Sequence, residues 1–179
     1  MIDFDVRGKE IVEWLKTEYA GIRTGQASPA LLDNIKVESY GALMPLNQVG
    51  SVGVEDARTL RVSLWDASGV TAAETALREA DLGVSVVTDS SGLRVIFPEL
   101  TSERRVQLTK LAKSKLEDAR VSVRSARDEI MKDIDKQQKD GEIGEDDKFT
   151  QKEAVQTKVD AVNNQLETLY DMKESEVSV

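Results

Sequence analysis

The chain contains neither cysteine nor histidine in its 179 residues. Disulfides, thiolate nucleophiles, Ser-His triads and most zinc sites are therefore excluded, and a reducing compartment fits. Proline is scarce: Pro29, Pro45 and Pro98 are the three present, so long helices can run without interruption. No apolar run approaches the ~20 residues that a membrane span needs, so no membrane partner is expected. The opening MIDFDVRGKE has neither a basic n-region nor an apolar h-region, and no signal or transit peptide is expected. GxxxxGK[ST] and GxGxxG are both missing, which leaves phosphate-loop nucleotide binding without support. A soluble, cytoplasmic protein without a cofactor is the expectation.

What the chain does hold is 40% hydrophobic and 32% charged residues, the balance of a helix-rich globular protein. Its net charge of −9 argues at first against a nucleic-acid partner. The charge is unevenly spread, however. Residues 103–127 carry eight Lys/Arg against three Asp/Glu, a net of +5, whereas residues 1–102 net −6 and residues 128–179 net −8. One basic stretch on an acidic body is a localised electrostatic footprint.

Hydrophobic spacing divides the chain in three. Phe4, Gly8, Ile11, Leu15, Tyr19 and Ile22 recur at steps of three and four, which predicts a helix over 4–23 with Gly25 as its stop. Residues 31–100 change to short period-two runs: Ile35 and Val37; Leu60, Val62 and Leu64; Val95 and Phe97. Between these runs, Ser68 is a candidate cap for a helix carrying Ala72, Ala73, Ala76, Leu77 and Ala80, ending near Gly83. Helical spacing returns from Thr101 through Leu108, Ala112, Leu116, Ala119, Val123, Ala126, Ile130 and Ile134, and should end near Lys139. Asp146 or Asp147 can cap a last helix whose stripe is Val155, Val159, Val162, Leu166 and Leu169.

Three long helices with one apolar stripe each can cover one another only by packing together. The expected fold is thus α+β: an antiparallel three-helix bundle from residues 1–29 and 102–179, with a small α/β domain of residues 30–101 inserted. Strand-like crossings near Ala27–Ala30 and Pro98–Ser102 would join the two, and such a double connection permits a hinge. Each stripe has an intramolecular partner, so a monomer is expected.

The feature most suggestive of chemistry lies on the second long helix. Arg120, Arg124 and Arg127 are spaced i, i+4, i+7 and share one face, which Lys113 extends by two turns. Each arginine follows a stripe residue by one position, so the row runs about 100° from the core seam. Guanidinium groups in a row suit phosphates and base edges. The plainer reading is a solvated face whose arginines pair with Glu117, Asp118 or acids of a neighbouring helix. Arg23, in Arg23-Thr24-Gly25 at the end of the first helix, is a further candidate, although an arginine in a last turn is ordinary dipole compensation. Glu145-Asp146-Asp147 are better explained by helix capping than by a metal. Trp14 and Trp65 read as packing residues rather than stacking platforms.

Along nearly its whole length the chain resembles the ribosome recycling factor family. The resemblance is carried by Arg23-Thr24-Gly25, Ala27-Ser28-Pro29-Ala30-Leu31-Leu32-Asp33, Tyr40-Gly41, Pro45-Leu46, the run Val54 to Leu60 (VEDARTL), Asp81-Leu82-Gly83, the run Leu100 to Arg105 (LTSERR), Val123-Arg124 and Arg127. It implies an L-shaped, roughly tRNA-like molecule, non-enzymatic, that binds the post-termination ribosome through large-subunit rRNA. With elongation factor G and GTP such a protein promotes subunit separation by a hinge-based mechanical action. It implies rRNA binding at Arg23, Arg124 and Arg127, to which the charge pattern adds Lys113 and Arg120. It also implies hinge positions at Ser28, Pro29, Ala30 and Leu31 and at Leu100, Thr101 and Ser102.

Two departures stand out. Where the family usually has RTGRAS this chain has Gln26, and where it usually has VRNxRRDA this chain reads Val123-Arg124-Ser125-Ala126-Arg127-Asp128. Two usual positive charges are missing and one has become a carboxylate. Each phosphate left without its cation lowers the salt slope of binding by roughly 0.7–0.9, so weaker or altered rRNA binding is expected. A helical adaptor or chaperone for protein partners is the competing reading, and reversing Arg124 and Arg127 to glutamate separates the two. A hydrolase would have only Glu145 to Asp147 to rely on.

Overall fold

The computed structural model describes residues 4–178. The first three residues of the segment read above as lacking a leader lie outside that range. The chain divides into two compact units, residues 1–19 with 109–175 and residues 20–108 with 176–179. No described helix is long and apolar enough to cross a membrane.

The first unit is built from α1 (Phe4–Ala20), most of α4 (Ser102–Lys139) and most of α5 (Glu145–Ser178). Its centre is the stripe expected for α4: Ala112, Leu116, Ala119, Val123, Ala126, Ile130 and Ile134 are all buried. From α1 come Phe4, Val12, Leu15 and Tyr19, and from α5 Val159 and Leu166. Val12 takes the buried position expected of Ile11, because at about 100° per residue it lies about 40° from the Gly8 column and Ile11 about 60° away on the other side. Ion pairs Lys152–Asp135 (2.7 Å) and Lys148–Asp135 (3.0 Å) tie the start of α5 to the end of α4 and fix an antiparallel pair. At the other end of α1 the Tyr19 hydroxyl donates to the Ala112 carbonyl at 2.9 Å. Near the start of α1, a Cβ on Gly8 would come within 2.9 Å of Val162 Cγ2, so the missing side chain lets α1 and α5 approach closely.

Helix ends follow local chemistry. The α4–α5 turn is a Schellman arrangement: Glu142 N–H donates to Gln137 O (2.9 Å) and Gly141 N–H to Gln138 O (3.2 Å), with Gly141 at φ +76°. Asp146 and Asp147 fall inside the first turn of α5 rather than before it, so they favour the helix dipole instead of acting as the N-cap. α1 stops at Ala20, short of the expected Ile22–Arg23, since Gly21 weakens the next turn and Arg23 is drawn elsewhere.

The second unit is an α/β module. β1 (Lys36–Ser39) and β2 (Ala42–Pro45) form a hairpin, followed by the single turn α2 (Leu46–Val49). β3 (Gly50–Asp56), β4 (Thr59–Leu64), β5 (Ser85–Asp89) and β6 (Gly92–Ile96) form an antiparallel sheet in the order β3-β4-β6-β5. Leu60 pairs with Val95 and Val62 with Leu93, which places four buried side chains on one face against Ala73 and Leu77 of α3 (Val70–Glu79). Leu31, Leu32, Ile35, Val37, Leu46, Val86 and Phe97 complete that core.

Four expectations are corrected here. Ser68 does not cap α3. Asp66 caps a 3-10 turn over Ala67–Gly69 by accepting from Ser68 N–H, and α3 starts after it at Val70. The crossing at Ala27–Ala30 is strand-like only up to Ser28, because Pro29, with its fixed φ, opens a 3-10 turn over Pro29–Leu32. Ser102 already belongs to α4. The tryptophans, expected to pack, are both exposed: Trp65 is 72% exposed, and Trp14 is 38% exposed with Lys115 Nζ 5.9 Å from its ring centroid.

Candidate nucleic-acid interface

α4 carries the basic row because its 3.6-residue period stacks positions 113, 120, 124 and 127 on one side of the buried seam. The four side chains are not equivalent. Arg124 is exposed and has no ion-pair or hydrogen-bond partner among the described residues. Lys113 is likewise exposed and without a partner among them. Arg120 is half-buried and held by two carboxylates, Glu117 at 2.7 Å and Glu167 of α5. Arg127 is half-buried and its guanidinium meets Asp128 at 2.8 and 3.1 Å.

The plain reading of a charged helix face thus describes Arg120, while Arg124 and Lys113 remain free to meet an anion. Lys110, exposed one turn before Lys113, extends the same face and was missed in the sequence, although its i−3 position made it legible. From Lys110 to Arg127 the row spans about 25 Å of helix. Its charge is lower than the residue count suggests, because three acids sit within the row or against it.

Arg23 belongs to the other unit and points inward. It is 7% exposed. Its guanidinium donates to Leu82 O at 3.2 Å, Gly83 O at 3.1 Å and Pro98 O, and lies 5.4 Å from the Phe97 ring centroid. Its Nε is buried without a partner among the described residues. Burial lowers its pKa, with the nearby charge of Arg104 adding to the effect. An arginine nonetheless stays protonated, and here it is a buried cation whose two terminal nitrogens donate to carbonyl oxygens. The positions expected as a hinge fall within this unit: Ser28, Pro29 and Ala30 are half-buried, Leu31 and Leu100 buried, and Thr101 and Ser102 exposed.

A helical bundle whose α4 carries a basic row, with a small α/β module inserted in the chain between α1 and α4, defines a class of two-unit α+β proteins. Comparison with known proteins makes the class specific. The family described as "Ribosome recycling factor" matches residues 15–177. The ribosome-recycling factor of Chlorobium limicola is 45% identical over 169 residues, covering 94% of this chain and 91% of its own. That of Hyphomonas neptunium is 44% identical over 175 residues, covering 98% and 95%. A solution structure of ribosome recycling factor superposes over the full length of both chains with a TM-score of 0.77 at 36% identity. The structure described as the T. thermophilus ribosome recycling factor with E. coli elongation factor G on the E. coli post-termination complex gives 0.66 at 35% identity, covering 97% of this chain and 94% of that one. The chain belongs to the ribosome recycling factor family, whose members are non-enzymatic translation factors.

Proposed function

We propose that this protein binds the post-termination ribosome through large-subunit rRNA, using the α4 face, and with elongation factor G and GTP promotes separation of the subunits. The observation that carries the reading is Arg124: a rigidly mounted guanidinium, exposed and unclaimed by any acid among the described residues, in the middle of a basic row. Lys113 acts beside it as a point charge. Arg127 and Arg120 reach phosphate by exchanging a carboxylate for it, so each contributes less. Arg23 serves by holding the α/β unit together. Ser28–Leu31 and Leu100–Ser102 are the proposed hinge, through which a push by the GTPase on the α/β unit turns binding into subunit separation. The protein acts as a cytoplasmic monomer. What supports this is family membership together with a relative described on a post-termination complex with elongation factor G.

Co-sedimentation with ribosomes and isolated subunits across a salt series tests the reading. Binding to the large subunit should weaken with salt, and Arg124→Ala should lower the log–log slope by about 0.7–0.9. Arg120→Ala should lower it less. Salt-independent binding, or equal effects of the two substitutions, would count against the α4 face.

A further inference from the structure

The α/β unit contains a cleft of about 430 Å³ between the β1–β2 hairpin and the segment joining β4 to α3. Its apolar wall includes Val37 and Ala72, and its rim carries Tyr40, Trp65, Glu38 and Asp66. Tyr40 is 90% exposed and Trp65 72%. Two aromatic faces standing in water beside a concave surface is the arrangement of a site awaiting an occupant.

Tyr40 is also held in an unfavourable backbone conformation. It occupies the first position of the two-residue hairpin loop at φ +51°, followed by Gly41 at φ +79°. The left-handed region suits glycine or asparagine there, and a bulky aromatic residue is an outlier. The ring is pinned by its hydroxyl, which donates to Asp66 Oδ2 at 2.5 Å, while Asp66 Oδ1 accepts from Ser68 N–H at 2.9 Å. These two donors lower the Asp66 pKa and keep the carboxylate ionised. Strain retained at an exposed position is a reason to look for function.

The charge of the cleft names the occupant. Glu38 has no ion-pair partner among the described residues, and no lysine or arginine lines the cleft. Residues 30–101 hold five Lys/Arg against ten Asp/Glu, a net of −5. Four of those five cations, Arg58, Arg61, Arg78 and Arg94, already meet carboxylates outside the cleft. We propose that this cleft receives an arginine or lysine side chain of a protein partner. The two aromatic rings attract the cation, the carboxylates of Glu38 and Asp66 accept its N–H groups, and the apolar wall takes its methylenes. A nucleic acid would meet two carboxylates and is disfavoured. The inference does not depend on the rRNA reading, which concerns α4.

Trp65 is a built-in probe. In the full chain with Trp14→Phe it is the sole tryptophan, and its emission can be followed while acetyl-Gly-Arg-Gly-amide is added at fixed ionic strength. The expected result is a saturable change, with at least fivefold weaker binding of the citrulline peptide, which keeps the shape and loses the charge. Glu38→Gln and Asp66→Asn should each weaken the arginine peptide about threefold, with melting temperature checked alongside. Equal response to the arginine and citrulline peptides, no saturable response to either, or tighter binding of a short oligoribonucleotide would each overturn the proposal.

Discussion

At the scale of single residues, two of the three arginines that the resemblance singles out sit in opposite surroundings. Arg23 is buried with three carbonyl acceptors and the Phe97 ring around it, and Arg124 stands in solvent. Arg23→Met should therefore cost about 1–3 kcal/mol of stability in urea or thermal unfolding, because three part-buried hydrogen bonds and the contact with the Phe97 ring are lost. Any loss of ribosome binding should follow the loss of folded protein. The opposite behaviour is expected at Asp128. Its carboxylate sits 2.8 Å from the Arg127 guanidinium, so it competes with any phosphate for that group. Asp128→Asn should steepen the salt dependence of ribosome binding and tighten it at low salt, with stability nearly unchanged. A co-sedimentation series comparing the two forms is the check. That acid and Gln26 are legible from sequence as departures from the family pattern. The inward turn of Arg23 was not legible, because its acceptors lie 59, 60 and 75 residues away in the chain and only the folded unit brings them together.

At the scale of elements, the long helices were readable because a stripe repeated over many turns leaves little ambiguity. The seven stripe residues of α4 within the bundle unit, Ala112 to Ile134, are all buried. The strands were harder. β1, β4 and β6 carry buried alternating residues and were found from them. β2, β3 and β5 are mostly exposed, so no buried alternation marks them. Pairing across helices was equally hidden: Arg120 is claimed by Glu167, 47 residues on, which only the α4–α5 register decides. The junction of α1 with α4 offers a pH test. Burial, and then the negative neighbours Tyr170 and Glu167, push the Tyr19 hydroxyl up to about 12. The folded state therefore prefers the neutral phenol, and its contribution is complete below pH 10, the value for an unperturbed tyrosine. It is lost as pH rises from there through about 12. Tyr19→Phe should flatten that part of the stability profile and cost about 1 kcal/mol at neutral pH from the missing bond to Ala112 O. Urea unfolding of both forms between these pH values gives the comparison.

At the scale of the whole molecule, the net charge of −9 and the rRNA reading coexist because residues 103–127, on α4, carry a net charge of +5 while the rest of the chain is acidic. The remaining acidic surface keeps the protein soluble and disfavours indiscriminate adsorption to nucleic acid. With three acids beside the row, rRNA binding through this face should be modest in strength and steered by few phosphates. The chain forms two compact units, and the proposed mechanical role would use them separately, one to hold and the other to be acted upon. Light scattering of post-termination ribosomes mixed with this protein, elongation factor G and GTP addresses the proposed role itself. A drop in scattering that requires all three components, and is strongly reduced by Arg124→Glu with Arg127→Glu, is the expected result. Ribosomes that stay intact, or that dissociate equally well with the double variant, would contradict the assignment of recycling to the α4 face.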